Sequence, residues 1–425
     1  MIALMFASVQ VAGASEAVTI TLAGSQEPQW VPVYQAAIEA FEAVHPHIEI
    51  DYRPISGTFE DLIVEILAWV GPDVFIFNSF DTARFHELGL TMPLNRFVER
   101  DDYDLGQFFP PMLDAFTSMN GELVALPADA STVVLYYNKS LFAEAGVPVP
   151  SEDFTWSDML DAARKTTRRN SEGVHTTVGI DGTFWREPWT LPAILKQNGG
   201  AFLSEDRRRL LINTPESIEA IQWWADLSHV YDVAPRPGGE IWGIPGFING
   251  SIAMIVHGTW NPPFWMPQIA DSFEWDIAFV PYQQQRASAL AGAGFAINAH
   301  STKSDQAWEF LKFWLGDDPN SFVNVTAREI HLGVPSRRSA VFYFDDAYRS
   351  FTEGSRSAHN YAAIASSIPF AEHVPIVPYW DELSQILASG LWPVWVGQAS
   401  ARSAVESIVE QANAVIRESF DRLER

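Results

Sequence analysis

The N-terminal part of the chain alternates between segments patterned as β-strands and segments patterned as helices. Residues 18–23 and 48–53 alternate apolar and polar side chains, and residues 73–78 form a nearly continuous apolar run. Such a run is typical of a strand buried on both faces of a sheet. Apolar residues recur every three or four positions over 34–44 and 59–70, which predicts two amphipathic helices. The order strand, helix, strand, helix, strand predicts a doubly wound α/β unit.

Polar loops follow the first and third predicted strands, at residues 24–29 and 78–81. Ligands of doubly wound sheets bind beyond the carboxyl ends of the strands, so these loops are candidate binding positions. Neither loop has the glycine-rich pattern of a phosphate-binding turn. Gly292 and Gly294 lack the third glycine and the following helix of a dinucleotide motif. We therefore interpret them as points of close backbone approach.

Patterns of both kinds continue through the rest of the chain. Strand-like segments recur at 132–138, 251–256 and 275–280, and helical patterns recur at 151–167 and 307–315. The 425 residues are enough for more than one α/β unit, since a domain usually takes about 100–200 residues.

The charge and composition exclude several functional classes. Acidic residues outnumber basic ones by 53 to 27, which gives a formal net charge of −26. A field of that sign repels a phosphate backbone, so nucleic acid is excluded as a partner. Cysteine is absent, which excludes disulfides, cysteine-ligated metals, thiol nucleophiles and a lipid anchor on an N-terminal cysteine.

Catalytic and metal-binding motifs are also missing from the sequence. The histidines are scattered, and neither a zinc-binding HExxH nor a nucleophile-elbow GxSxG pattern occurs. We therefore expect no metal, no cofactor and no nucleophilic catalysis. The placement of two carboxylates across one glycosidic bond is not readable from sequence, so a glycoside hydrolase stays open as the competing class.

The N-terminus has features of a secretory signal. Residues 1–14 are apolar and uncharged, and the stretch is too short to span a bilayer. It ends in Ala12, Gly13 and Ala14, small residues that fit a cleavage site. We expect residues 1–16 to be a signal-peptide remnant that lacks the usual positive start. The expected mature protein is soluble and periplasmic, without a lipid anchor.

Tryptophan is unusually frequent, with 16 residues, and some of these stand beside polar groups. Trp185 and Trp189 flank Arg186 and Glu187, and Trp260 follows a turn at Gly258. A sugar presents an apolar ring face on which an aromatic ring can stack, and a rim of hydroxyls that bind carboxylates, amides and guanidinium groups. These segments are therefore candidates for carbohydrate binding, and ordinary core and surface packing is the alternative.

The order of several short motifs resembles the maltose-binding-protein-like family, the extracellular solute-binding proteins that supply ABC importers of sugars. The resemblance covers nearly the whole chain. It rests on the following segments: Leu126–Pro127, Thr132–Lys139, Leu141–Phe142, Ala145–Gly146, Phe154–Trp156, Met159–Leu160, Ala162–Ala163, Gly250–Met254, Gly258–Trp260, Ala291–Ile297, Lys303–Trp314 and Pro335–Arg337.

This resemblance implies a type II periplasmic-binding-protein fold, in which two doubly wound α/β lobes are joined by a hinge and enclose a central ligand cleft. It implies a first lobe of residues 17–127 plus 278–329 and a second lobe of residues 128–277 plus 330–425. We expect the chain to cross between the lobes near 127–131 and near 276–282.

The resemblance also implies ligand-binding positions. The family's acidic residue before the YYN strand corresponds to Ser131, a departure that makes Asp129 a candidate replacement. The acid–proline–aromatic triplet corresponds to Glu187 and Trp189, and the stacking tryptophan corresponds to Trp260. The remaining candidates come from strand-end loops and from the neighbourhood of the motifs: Ser25, Gln26, Asn78, Ser79, Phe80, Asp81, Trp185, Trp242, Gly294, Arg337 and Trp380.

The resemblance predicts a monomeric, non-catalytic protein that binds a mono- to oligosaccharide between its lobes. It would deliver this sugar to the permease subunits of an ABC importer. The same fold could instead bind another solute, such as a polyamine or a glycerol phosphodiester. A glycoside hydrolase is the alternative from a different class.

Overall fold

A computed structural model describes residues 17–25, 30–55, 59–236, 239–329, 334–340, 360 and 362–423. The predicted signal remnant at 1–16 lies outside these residues. The strands are β1 Val18–Gly24, β2 Ile48–Pro54, β3 Val74–Asn78, β4 Leu126–Pro127, β5 Asp129–Asn138, β6 Arg168–Arg169, β7 His175–Thr177, β8 Met254–Gly258, β9 Trp275–Ala278, β10 Ser288–Ala291, β11 Ala293–Ile297, β12 Val334–Pro335 and β13 Ala371–His373.

The helices in the described residues are numbered in chain order. They are α1 Val31–Val44, α2 Phe59–Leu67, α3 Thr82–Glu87, α4 Asn95–Asp101, α5 Pro110–Ala115, α6 Lys139–Ala145, α7 Trp156–Thr166, α8 Leu191–Gln197, α9 Pro215–His229, α10 Gly243–Ile248, α11 Pro262–Ile269, α12 Ser304–Trp314, α13 Phe322–Glu329, α14 Ala362–Ser367, α15 Trp380–Trp395 and α16 Ala401–Leu423.

The first sheet contains the α/β unit predicted from the N-terminal pattern. Its strand order is β2-β1-β3-β11-β4. β1 pairs in parallel with β2 and β3, and α1 and α2 connect these three strands. β11 runs antiparallel to both β3 and β4. This sheet is therefore completed by a strand that comes from much later in the chain.

The second sheet is organised around β5. This strand pairs antiparallel with β8, β9, β10 and β12 at different points along its length, and β13 adds to β10. Its side chains alternate between two cores: Val133 and Leu135 lie in one cluster, whereas Val134 and Tyr136 lie in the other. Because both faces are buried, the middle of β5 from Val133 to Tyr137 is continuously apolar.

The chain crosses between the two sheets at Ala128 and again at Gly292. Ala128 separates β4 of the first sheet from β5 of the second, within the range predicted for this crossing. The second crossing lies later than the predicted 276–282, because β9 and β10 both pair with β5 before β11 joins the first sheet. A third crossing follows α13, since β12 pairs with Ala130 and Asp129 of β5.

We propose that these crossings delimit two lobes. The first lobe then contains residues 17–127 and 293–329, and the second contains residues 128–292 together with the described residues from 334 onward. The helices support this division. α12 and α13 pack against α1 of the first sheet, whereas α15 and α16 pack against each other and against α9.

The return segment of the first lobe is held by an aromatic core around Trp314. This residue is fully buried and stacks on Phe322 with ring centroids 4.6 Å apart and an interplanar angle of 10°. It also contacts Tyr34 of α1 at 5.5 Å and Phe295 of β11 at 5.9 Å. One indole therefore joins α1, β11, α12 and α13.

We expect Trp314→Ala to lower the free energy of unfolding by about 3–5 kcal/mol, because it leaves a large cavity among close-packed rings. Urea denaturation followed by circular dichroism measures this loss. Trp392→Ala is the matched control, since Trp392 is 51% exposed on α15. It should change stability by no more than about 0.5 kcal/mol. Equal effects of the two changes would contradict a Trp314-centred core.

Candidate functional site

Four partly exposed rings of the second lobe form a group that we call the aromatic cluster: Phe184, Trp189, His257 and Trp260. The ring centroids of Trp189 and Trp260 are 6.3 Å apart, and that of Phe184 is 5.9 Å from Trp260. His257 lies 4.2 Å from Phe184. The structure therefore brings two predicted stacking residues together with two that the sequence analysis did not select.

Local backbone features position the Trp260 ring. β8 ends at Gly258, and Trp260 folds back over this glycine so closely that a Cβ there would overlap the indole. Asn261 Nδ2 donates to the Gly258 carbonyl at 2.9 Å and holds the turn. Glycine at position 258 is thus required by the close approach of the ring and not by an unusual φ angle.

The segment that carries Trp189 consists of two short 3-10 turns, Thr183–Arg186 and Pro188–Thr190, joined at Glu187. The Glu187 side chain is exposed beside the aromatic cluster. Trp185 turns the opposite way: it is 1% exposed and packs on Trp224 with centroids 5.9 Å apart. Trp185 therefore belongs to the core of the second lobe, and we do not include it in the candidate site.

The first lobe contributes the end of β3 and the turn that follows it. Asn78 is half-buried and pairs with Ala293 of β11. Ser79 is fully buried, and its backbone N–H donates to the Gly292 carbonyl at 2.8 Å. The loop predicted from sequence is thus anchored directly at the second crossing.

A hydrogen bond joins this turn to the second lobe. His373 Nδ1 lies 2.5 Å from the Val374 carbonyl, and its Nε2 lies 2.8 Å from Ser79 Oγ. Because a carbonyl only accepts, Nδ1 carries the proton, and Nε2 accepts from the Ser79 hydroxyl. Burial lowers the pKa of His373 to about 4, so the ring is neutral and keeps this acceptor at ordinary pH.

Phe80 and Asp81 also approach the second lobe. Phe80 packs against the second-lobe core. Arg84 Nε lies 3.6 Å from Asp381 Oδ2 at the start of α15, and the same guanidinium pairs with Glu60 at 2.5 Å. Burial and the charge of Asp381 raise the pKa of Asp81 to about 7, and Arg84 opposes this shift. The lobes therefore meet at acidic residues, Asp81 and Glu60 on one side and Asp381 on the other, which share the guanidinium of Arg84.

Asp129 and Ser131 lie at the hinge. The Asp129 carboxylate accepts from Ala293 N at 2.5 Å and from Ser131 Oγ at 3.1 Å, so it ties two crossing segments together. Burial raises the pKa of Asp129 to about 6. The residue also borders a cavity of about 70 Å³ that Trp30 and Thr326 help to line. The Asp129 carboxylate is thus engaged in holding the hinge.

Four other candidates lie apart from the aromatic cluster or outside the described residues. Gly294 pairs within the first sheet, where a Cβ would come 2.7 Å from the Phe116 ring. Trp242 is 59% exposed at the start of α10. Ser25, at the end of β1, accepts from Tyr52 Oη at 2.6 Å through its carbonyl. Gln26 lies outside the described residues.

Arg337 is committed to structural contacts. It is 4% exposed, donates to Asp317 at 2.6 and 3.2 Å, and lies over the ring of Phe108 at 5.3 Å. A third donor reaches Tyr103 Oη at 3.3 Å. We therefore leave Arg337 out of the candidate site.

His373 and Asp381, both from the C-terminal part of the second lobe, are not among the candidates predicted from the sequence. Neither stands in a motif, and only the closing of the two sheets places them opposite the Ser79–Asp81 turn. His257 and Phe184 adjoin the quoted motifs and could have been found there. Trp380 is 7% exposed and packs on Phe202 at 6.2 Å, which places it in the second-lobe core.

The described part of the chain contains no group of three His, Asp or Glu residues arranged to hold a metal ion. Across the same residues, every helix is too short or too polar to cross a membrane.

The titration of Asp81 predicts a pH effect on lobe closure. Its pKa rises from 3.8 to about 7 in the closed arrangement, so this arrangement is most favourable below pH 3.8. The stabilisation of this arrangement by Asp81 decreases as the pH rises from 3.8 to about 7, and it changes little above that pH. Small-angle scattering of the unliganded protein should therefore show a larger radius of gyration at about pH 8 than at about pH 5.

Asp81→Asn should remove most of this change, because the titrating group is gone. Asp271→Asn, at an exposed position of the second lobe, should leave it intact. An unchanged pH dependence in Asp81→Asn would contradict a role for this carboxyl group between the lobes.

Comparisons with known proteins agree with the two-lobed architecture. The family described as bacterial extracellular solute-binding protein matches residues 24–320. A binding protein from Brucella abortus is 22% identical over 91% of this chain and 90% of its own. The maltotriose-binding protein of Pyrococcus abyssi is 25% identical over 69% of this chain and 62% of its own.

A solved structure gives the same result for the fold. The ABC substrate-binding protein from Listeria monocytogenes in complex with cycloalternan has a TM-score of 0.79 at 24% identity, covering 94% of this chain and 99% of that one. The match over residues 24–320 and the shared two-lobed α/β fold show that the chain belongs to the family of bacterial extracellular solute-binding proteins.

Proposed function

We propose that this protein binds a sugar, from a mono- to an oligosaccharide, between its two lobes and delivers it to the permease subunits of an ABC importer. The observation that carries this proposal is the aromatic cluster: Trp189 and Trp260 stand with centroids 6.3 Å apart and planes inclined by 37°, both partly exposed. Partly exposed indoles offer flat apolar faces that fit the apolar face of a sugar ring.

Polar groups of both lobes suit the hydroxyl rim of the same ligand. Glu187 is exposed on the second lobe, and Asn78 and Asp81 lie on either side of the buried Ser79 after β3 on the first. Hydrogen bonds between a hydroxyl and a carboxylate are stronger than those between neutral groups. A ligand that touches both sets stabilises the closed arrangement by its differential contacts, so binding and hinge closure are coupled.

The relatives support a sugar over another solute. One is named for maltotriose, and the Listeria structure contains cycloalternan. We place the protein outside the cytoplasmic membrane, in the periplasm, where a soluble monomer would carry the sugar to the permease. A polyamine or glycerol phosphodiester is the alternative in the same fold, and a thermal-shift panel of all three solute classes separates them.

The proposed function is non-catalytic. The family consists of solute-binding proteins, and two partly buried acids between the lobes have structural contacts: Asp81 faces Asp381 and Arg84, and Asp129 accepts from Ala293 at the hinge. A glycoside hydrolase needs two carboxylates on either side of one bond. Release of reducing ends from the oligosaccharide that binds best would identify the protein as a hydrolase.

Trp260→Ala should weaken sugar binding at least about tenfold, which is ~1.4 kcal/mol, because the sugar loses a stacking face. Isothermal titration calorimetry with the best ligand of the panel measures the change. Trp392→Ala, on the exposed side of α15, should bind like the parent. Unchanged affinity in Trp260→Ala would show that its ring serves only to pack the second lobe.

Glu187→Gln should cost about 1.5–3 kcal/mol of ligand binding, because a sugar hydroxyl loses its charged acceptor. The melting temperature of the unliganded protein should stay unchanged, since the side chain is exposed. Glu205→Gln, another exposed acid of the second lobe, is the control. If both variants bind like the parent, the ligand does not reach the Glu187 segment.

A further inference from the structure

Arg186 lies within the segment that carries two rings of the aromatic cluster, Phe184 and Trp189, at the end of the turn Thr183–Arg186. Its side chain is half-buried. Burial lowers the pKa of the guanidinium, and the charge of Asp181 raises it. Among the described residues, none accepts a hydrogen bond from Arg186 or forms an ion pair with it. The side chain is thus a partly desolvated cation whose donors are unused.

Asp181 does not use these donors either. It is 1% exposed, and its two carboxylate oxygens accept from Thr183 N at 2.8 Å and from Gly243 N at 2.5 Å. The carboxylate therefore fastens the Thr183–Arg186 turn to the start of α10. The negative charge of Asp181 stabilises the charged form of Arg186, but the carboxylate accepts no hydrogen bond from the guanidinium.

The contrast with Arg337 shows what this chain does with a guanidinium that has only a structural role. Arg337 is 4% exposed and is matched by two bonds to Asp317, one to Tyr103 and the ring of Phe108. A guanidinium has five donors in a fixed fork, and unmet donors in a partly buried place cost free energy. Arg186 has no such set among the described residues, so its donors are available to a ligand group.

We propose that Arg186 selects the ligand, and that it binds an oxyanion carried by the sugar, either the carboxylate of a sugar acid or a phosphate group. The fork of a guanidinium fits both groups in a bidentate manner, and such charge-assisted bonds are roughly twice as strong as neutral ones. This inference rests on the proposed function, because it names the class of sugar that the same site takes.

The acidity of the whole protein does not oppose this assignment. At physiological ionic strength the field of exposed charges falls off within about 8 Å, whereas a partly buried pair is screened much less. Glu187 is exposed and so contributes a screened charge, and Asp181 is already engaged by two backbone amides. The interaction with Arg186 therefore decides how a nearby anionic group binds.

The test compares three sets of ligands by isothermal titration calorimetry: neutral oligosaccharides, oligosaccharides that contain a uronate, and sugar phosphates. We expect the tightest ligand to carry an anionic group and to bind more weakly as salt is added. Preference for the uronate or for the phosphate identifies the oxyanion. Preference for a neutral sugar overturns the inference and leaves the proposed function standing, and binding of none of the three overturns both.

Variants of Arg186 provide the second part of the test. Arg186→Gln should weaken the anionic ligand at least about tenfold, and Arg186→Lys should recover only part of this loss, because lysine keeps the charge without the fork. Arg168→Gln is the control of equal charge change, since Arg168 is an exposed partner of Glu144 at 2.9 Å. It should bind like the parent.

The unliganded melting temperature separates a ligand-binding role from a structural one. Arg186 is a half-buried cation with no direct partner in the described part of the chain, so Arg186→Gln should leave the melting temperature unchanged or higher. A lower melting temperature together with unchanged affinity would show that Arg186 is structural and would overturn the proposal.

Discussion

Strand β5 packs its side chains into two different cores and pairs with four other strands at the same time. Its ten residues run from the hinge to the far end of the second lobe, and every one from Ala130 to Asn138 is buried. Alternate side chains enter different cores, so a shift of register by one residue would exchange both sets. The positions of β8, β9, β10 and β12, and with them the second-lobe half of the site, follow from this one strand.

The hinge begins where β5 begins, and this explains why Asp129 is engaged there. Its carboxylate bonds to the amide of Ala293, the first residue of β11, at 2.5 Å, and β12 pairs with the same stretch. Three crossing segments therefore meet around one side chain. A residue in that position can influence how the lobes move, but its oxygens are already occupied by the protein.

The contacts between the lobes combine two kinds of interaction. The Ser79–His373 bond is neutral and local, since burial keeps the imidazole uncharged. The interaction among Asp81, Asp381 and Arg84 is electrostatic, and its strength depends on whether Asp81 is protonated. The lobes are therefore joined by one contact that is fixed by geometry and by another that depends on protonation.

The sequence by itself determined the parts of this protein that depend on local patterns. Periodicity predicted β1, α1, β2, α2 and β3, and short motifs selected Trp189, Trp260 and the Asn78–Asp81 loop. The strands and helices could be predicted because side-chain spacing reports which face of an element is buried, whereas the binding roles of the selected residues stay predictions. The same local signals did not separate Trp185 from Trp189, although one is a core residue and the other is partly exposed.

Only the tertiary structure decided which distant residues meet. The crossing at Gly292, the His373–Ser79 bond and the neighbourhood of Asp81 and Asp381 all join segments that are far apart in the chain. The engagement of Arg337, and the absence of a hydrogen-bond or ion-pair partner for Arg186 among the residues that the structure describes, are also properties of three-dimensional surroundings. The sequence does not distinguish these two arginines. They differ in the acceptors that the fold brings within hydrogen-bonding distance of each guanidinium.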